Sequence, residues 1–165
     1  MNRKGVFDWI IDVLAYLAGI LLGLAVVIKF ADIILRYFLN RPLTWDIEVT
    51  EYILFSIAFL GTAWLLREGG HVRIDVLDGF LSKKGRVYLH LFHSVIGASV
   101  SIILTVISLV AAVYSCRDDL KVTKIYTIDK YYFLLIIFVG YLLMLVEFLR
   151  QIFGDIGKIK NQVTD

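Results

Sequence analysis

The stretch VYLHLFHSVIGASVSIILTVISLVAAVYSC, residues 87–116, runs without a single Asp, Glu, Lys or Arg. The hydrocarbon core of a bilayer is ~30 Å thick and takes about 20 apolar helical residues, so this run is long enough to cross it. Within it Ser94, Ala98, Ser101, Thr105, Ser108, Ala112 and Ser115 recur at spacings of 4, 3, 4, 3, 4 and 3. That alternation is the repeat of a left-handed coiled-coil seam, here written in small side chains. Lipid tails are as apolar as leucine, so membrane helices associate by close packing and polar contacts, and small residues mark the faces that do so. The seam therefore predicts a packing face on this helix, with another helix of the same chain as its favoured partner.

Three further charge-free runs extend over Val13–Ile28, Tyr52–Leu66 and Tyr131–Val146. Each falls short of a full span, so these helices must carry charge into the interface or into a protein-lined interior. Long basic side chains can snorkel there, and acids need partners. The chain is 59% hydrophobic and 19% charged, against about 45–50% and about 25% in soluble domains, and its mean hydropathy is +0.80. A soluble four-helix bundle would keep a polar face on each helix, and neither Ile102–Val113 nor Phe133–Leu145 has one. The expected architecture is all-α, an integral membrane bundle of four transmembrane helices over about residues 10–37, 44–68, 86–116 and 130–152, forming a single membrane domain over 1–165. Short amphipathic interfacial segments are expected at residues 3–12 and at 72–82, where VRIDVLDGFLS opposes Ile74, Leu77 and Leu81 to Asp75, Asp78 and Ser82.

Other classes are excluded by what is missing. Cys116 is alone, which rules out an internal disulfide and the four-thiolate metal sites. A net charge of +2 leaves no nucleic-acid footprint. No small-x-small cleavage site follows the first apolar run, so the first helix is expected to stay in the mature protein. Arg3, Lys4, Arg67, Arg73, Lys83, Lys84, Arg86, Arg150, Lys158 and Lys160 fall on one side of the membrane. Lys29, Arg36, Arg41, Arg117, Lys121, Lys124 and Lys130 fall on the other. The excess favours both termini in the cytoplasm, with Lys83-Lys84-Gly85-Arg86 as the firmest anchor.

Several polar and small residues stand out against this apolar ground. Ala15, Gly19 and Gly23 form a small-x-x-x-small repeat that suits packing inside this chain or against another protein. Lys29, Asp32 and Arg36 place an acid between two bases on one helical face, either a neutralised interfacial ladder or a docking point for an acidic group of a partner. Asn40-Arg41-Pro42 reads as a turn, because Pro42 fixes its own backbone and pushes Arg41 out of helical geometry. Thr44 is positioned to cap the second helix. Trp45, Glu48 and Tyr52 share one side of that helix, and Arg67 and His71 flank the Gly69-Gly70 break at its end. In the fourth helix Gly140 lies among Phe133, Phe138, Tyr141 and Met144, a bulky flank that suits lipid or a helix equally.

Read together, residues 36–75 resemble the signature region of the small membrane subunit of tripartite ATP-independent periplasmic (TRAP) transporters. The matching pieces are Arg36-Tyr37, Asn40, Pro42, Trp45 with Glu48 and Tyr52, then Gly61 and Ala63, then Arg67 followed by Gly70-His71-Val72 and Asp75. Gly140-Tyr141-Leu142-Leu143-Met144 and the four-helix layout agree. Thr127-Ile128-Asp129 departs from the family, whose members often carry a glycine–proline element there, and so do Lys29 and Asp32. The resemblance implies a scaffold subunit in the bacterial inner membrane, bracing a large permease to which a soluble periplasmic binding protein delivers substrate. It implies uptake driven by a cation gradient, usually sodium, of organic acids such as C4-dicarboxylates or sialic acids, without a cofactor. Arg36, Pro42, Trp45, Glu48, Tyr52, Gly61, Arg67, His71 and Asp75 then become structural or subunit-interface residues, and the basic loop with Arg117, Lys121, Lys124 and Lys130 either receives the binding protein or is simply solvated.

Other readings stay open at this level. A small subunit of a tripartite tricarboxylate transporter is the nearest, though it lacks this signature. A haem-bearing membrane anchor needs axial histidines, and His90 and His93, at i and i+3 on one helix, cannot clamp one haem from both sides. A small proton-coupled exporter needs an embedded acid, and Glu147 has Arg150 three residues on to neutralise it. No catalytic constellation is visible, so an enzyme is not expected.

Overall fold

The computed structural model describes residues 5–68, 83–123 and 127–163. Its elements are α1 (Val6–Leu39), α2 (Asp46–Arg67), α3 (Lys83–Arg117), a hairpin of β1 (Lys121–Thr123) and β2 (Thr127–Asp129), and α4 (Lys130–Val163). All four helices are long and apolar enough to cross a membrane, and the protein is an all-α membrane bundle. At 1.5 Å per residue, α2 rises about 33 Å, close to one bilayer core, while the other three rise about 50 Å and project beyond it.

Two boundaries depart from the sequence reading. The expected amphipathic entry at residues 3–12 is, from Val6 onward, the first turns of α1 itself, with Asp8 accepting the N–H of Gly5 at 3.0 Å. The polar tail continues α4 to Val163 rather than ending the helix near 152. The proposed interfacial segment 72–82 lies outside the described residues.

Helix neighbours run α1, α2, α4, α3. The buried positions of α1 are Ile11, Ala18, Ala25 and Asp32, a spacing of seven throughout, so a single heptad line, small or polar beyond Ile11, meets α2 and most of the remaining surface faces outward. In α3, Ser94, Ala98, Ser101, Thr105, Ser108, Ala112 and Ser115 are all buried, and α4 is its main neighbour. Thr105 returns its hydroxyl to the carbonyl of Ser101 and Ser108 to that of Thr105, so these polar atoms are satisfied within the helix. Against this seam Leu66, Ala98 and Phe148 form the core cluster, joined by Met144, Leu145 and Ile152.

Two glycines set how closely helices approach. A Cβ at Gly97 would stand 2.3 Å from the Phe148 ring, and one at Gly140 would stand 2.8 Å from the carbonyl oxygen of Phe59. Around Gly140 an aromatic ladder joins α2 to α4, with Tyr52 and Phe55 against Phe133 and Phe59 against Tyr141, at centroid distances of 4.9, 5.7 and 5.7 Å. Those distances suit edge and tilted ring contacts. The bulky flank of α4 that suited lipid or helix alike thus gives Phe133 and Tyr141 to α2.

Between α3 and α4 the chain forms an antiparallel ribbon with Lys121 opposite Asp129, Val122 opposite Ile128 and Thr123 opposite Thr127. Asp119 turns the chain with φ 49°. Its carboxylate lies 3.1 Å from the Lys121 ammonium and raises that group's pKa.

Candidate functional site

The polar side chains singled out in the sequence gather at the two ends of the bundle. At the end where α1 meets α2, α1 closes on Asn40 in the left-handed conformation, φ 53° and ψ 30°, which Asn tolerates better than most residues. The N–H groups of Asn40 and Arg41 both return to the carbonyl of Leu35. Asp32 then holds the loop, accepting the Leu43 N–H at 2.8 Å and the Arg36 guanidinium at 2.7 Å. Lys29 does not join Asp32. Its ammonium reaches across to Asp46 on α2 at 2.7 Å, where the carboxylate is fully buried. The bases of this ladder are thus engaged by acids of the chain itself, because the turn brings Asp46 over Lys29.

Thr44 does not cap α2. The helix starts at Asp46, with Trp45 in the capping position and no side-chain cap. Asp46 and Glu48 in the first turn instead complement the helix dipole. Glu48 is buried and accepts the Tyr52 hydroxyl one turn on, while the Tyr52 ring packs on Phe133. This end joins α1, α2 and α4 through residues 29–52.

Asp32 gives the first expected result. Asp32→Ala removes both bonds and leaves the Leu43 N–H without its acceptor, a loss of about 2 kcal/mol for hydrogen bonds to a charged group. Asp32→Asn keeps an acceptor for Leu43 and is expected to lose about half as much. Unfolding in mixed micelles by SDS titration measures both; equal stability of wild type and Asp32→Ala would remove Asp32 from the loop's support.

At the opposite end Arg67 is the hub. It bonds Asp12, lies 3.2 Å from the Asp8 backbone carbonyl and 4.0 Å from the Asp8 carboxylate, and reaches Glu68 at 3.5 Å. Arg150 on α4 meets the same Asp8 at 2.6 Å, lies 3.4 Å from Glu147, and sits 5.6 Å from the centre of the Phe7 ring. Three helices therefore meet on two guanidinium groups. Alongside, Gln151 on α4 donates to the Leu66 carbonyl and accepts from Ser94 of α3, both at 3.4 Å, and His90 of α3 pairs through Nδ1 with buried Asp155 of α4. A histidine already held in this way, and a His93 ring stacked edge-on to Phe148 at 6.3 Å, are packing residues of the α3–α4 contact.

Of the signature residues, Arg36, Pro42, Trp45, Glu48 and Tyr52 belong to the first end and Arg67 to the second. Gly61 lies between them on α2, with open space where a Cβ would stand, as do Gly19 and Gly23 on α1. His71 and Asp75 lie outside the described residues.

A family model described as "Tripartite ATP-independent periplasmic transporters, DctQ component" matches residues 24–158. The chain belongs to the DctQ family. It is also similar to a Haemophilus influenzae protein named "Putative TRAP transporter small permease protein", 30% identical over 69 residues, which cover 42% of this chain and 43% of that one. The match thus spans less than half the length of this relative. DctQ proteins are transporter components rather than enzymes, and membership with four spanning helices makes this a multi-pass protein of the inner membrane. Membership also decides against the haem anchor, the small exporter and the tricarboxylate subunit.

Sequence reading missed four contributors to this DctQ fold: Asp46, Asp155, Gln151 and Gly97. Asp46 and Gln151 carry no pattern of their own, since their partners are 17 and 85 residues away. Asp155 had a usable signal, an acid on a helix beside an apolar span, but its partner His90 is 65 residues away.

Proposed function

We propose that the chain is the small scaffold subunit of a sodium-driven importer of organic acids, such as C4-dicarboxylates or sialic acids. In this reading it braces the large permease, and a periplasmic binding protein delivers the substrate. DctQ membership over residues 24–158 carries the proposal. The distribution of charge supports a static role, since a self-sufficient transporter keeps polar groups and broken helices near the midplane. Here the described charges lie at the two ends, and Val13–Ile28, Tyr52–Leu66 and Tyr131–Val146 have none between them. Both termini face the cytoplasm, which puts the Arg67 end inside and the hairpin outside. Arg36, Pro42, Trp45, Glu48, Tyr52 and Arg67 then act by fixing helix ends, not by touching substrate, and the hairpin is the surface nearest the arriving binding protein.

Purification of the tagged chain from its native membrane in mild detergent, followed by mass spectrometry and reconstitution, tests this reading. Recovery of a large polytopic permease in about equal amount is expected. Sodium-dependent uptake of an organic acid is expected only when permease, binding protein and this chain share the liposome. Uptake by this chain alone, or a homodimer with no permease, would overturn it.

A further inference from the structure

Near the start of α2 two buried side-chain oxygens, Asp46 Oδ1 and Thr50 Oγ1, have no hydrogen-bond partner among the described residues. Asp46 is fully buried and Thr50 is 6% exposed. They stand one helical turn apart and so share a face of α2. That face meets α1, since the Lys29 ammonium bonds the other oxygen of the same carboxylate, Oδ2, at 2.7 Å. Thr50 also departs from a pattern of this bundle. Ser56, Thr62, Ser99 and Thr105 each donate to the carbonyl four residues back, the local bond that ordinarily satisfies a hydroxyl inside a helix. A buried hydroxyl and a buried carboxylate oxygen are each costly when unpaired, and where protein groups do not pair them ordered water does.

We propose that a single water molecule binds between Asp46 and Thr50 and ties the start of α2 to α1. The Thr50 hydroxyl donates to it, and it donates to Asp46 Oδ1. Its second lone pair is open to the Lys29 ammonium, whose remaining N–H groups are not taken up by Oδ2. The site thus offers about three hydrogen bonds, the usual complement of a buried water. Room for it comes from α1. The two helices run antiparallel, with Lys29 beside Asp46 at one end and Asp12 beside Arg67 at the other, which sets Ala25, one turn before Lys29, level with Thr50. Ala25 is buried there and contributes only a methyl group. A sodium ion would find the same two oxygens, but the Lys29 ammonium already balances the Asp46 charge and would repel a second cation so close to it.

The test is a double-mutant cycle on the full chain, Thr50→Val, Asp46→Leu and the pair, read by SDS-titrated unfolding in mixed micelles. Valine keeps the shape of threonine, so removing a hydroxyl that was simply unpaired would stabilise the protein. With water bound, Thr50→Val is expected to shift the unfolding equilibrium about fivefold toward the unfolded state, the worth of one hydrogen bond. The same change is expected to shift it little once Asp46 is leucine. A neutral or stabilising Thr50→Val overturns the proposal. So does an equal loss with and without the Asp46 carboxylate, which would place the hydroxyl on its own helix. Replacing sodium by potassium is expected to leave the curves superimposed; sodium-specific stabilisation that Thr50→Val abolishes would make the occupant a cation and overturn the assignment. A structure of the wild-type protein at a resolution that shows ordered water is the second measurement, and it reads the site even if Asp46→Leu fails to accumulate. A peak within hydrogen-bond distance of both Asp46 Oδ1 and Thr50 Oγ1 is expected, and a direct bond between the two side chains with no such peak overturns the bridge.

Discussion

Arg67→Leu is expected to be among the most damaging single substitutions in this protein. The guanidinium is the meeting point of Asp12, the carboxylate and backbone carbonyl of Asp8, and Glu68, and the side chains of Arg67, Asp8 and Asp12 are each under a fifth exposed. Removing one partner of a buried pair leaves the other charge stranded, at a loss of about 3–5 kcal/mol when burial is complete; partial exposure here sets the expectation near 3 kcal/mol. Arg150 remains beside Asp8 and softens the loss on that side, so Asp12 is the group left exposed to the full penalty. Arg67→Lys keeps the charge but loses the fork that spans Asp12 and the Asp8 carbonyl, and should fall between. The pair Arg67→Leu/Asp12→Leu removes both charges and should recover at least half of the lost stability. Membrane accumulation and SDS-titrated unfolding measure the series. If the double variant were no more stable than Arg67→Leu alone, the ion pair would not be the source of the effect.

Much of this molecule is readable from residue order because the bilayer constrains it so strongly. Charge-free runs locate the spans, and a polar group cannot be left unsatisfied in hydrocarbon, so acids such as Asp32 and Glu147 announce partners before those partners are known. The α3 seam is visible for the same reason, since Ser94 through Ser115 repeat along one local face. What is not readable is pairing at long sequence separation. Lys29 lies three residues from Asp32 but bonds Asp46, and Arg67 chooses Asp12 across 55 residues. Helix ends are blurred too, because Gln151 to Val163 looks like a tail by hydropathy while its backbone remains helical. The signature from Arg36 to Arg67 reads as one block in sequence yet divides in space, its first part where α1 turns into α2, Gly61 along α2 and Arg67 at the opposite end of that helix. Family membership is therefore more legible than the work of any one residue.

Gly140 shows what the contact between α2 and α4 can tolerate, and Gly140→Val is expected to open it. The Cβ of any larger residue would lie 2.8 Å from the Phe59 carbonyl oxygen and 3.0 Å from the Phe59 Cβ. The nearest obstacle is backbone, and a helix backbone cannot swing aside as a side chain can. Alanine already requires the two helices to shift by some tenths of an ångström, a strain of about 1–3 kcal/mol for an overpacked site. Valine adds two methyl groups to the same gap and is expected at or above the top of that range. Gly97 provides the internal contrast. There the obstacle is the Phe148 ring, the far part of a side chain, so Gly97→Ala paired with Phe148→Leu can relieve the clash, while no single change at Phe59 relieves Gly140→Val because the carbonyl remains. The comparison is measured by unfolding all four variants in the same micelles. Equal losses at the two glycines, or rescue of Gly140→Val by Phe59→Ala, would mean that side chains rather than backbone set the α2–α4 distance. The expected asymmetry would instead fix α4 as the helix on which α2 is seated.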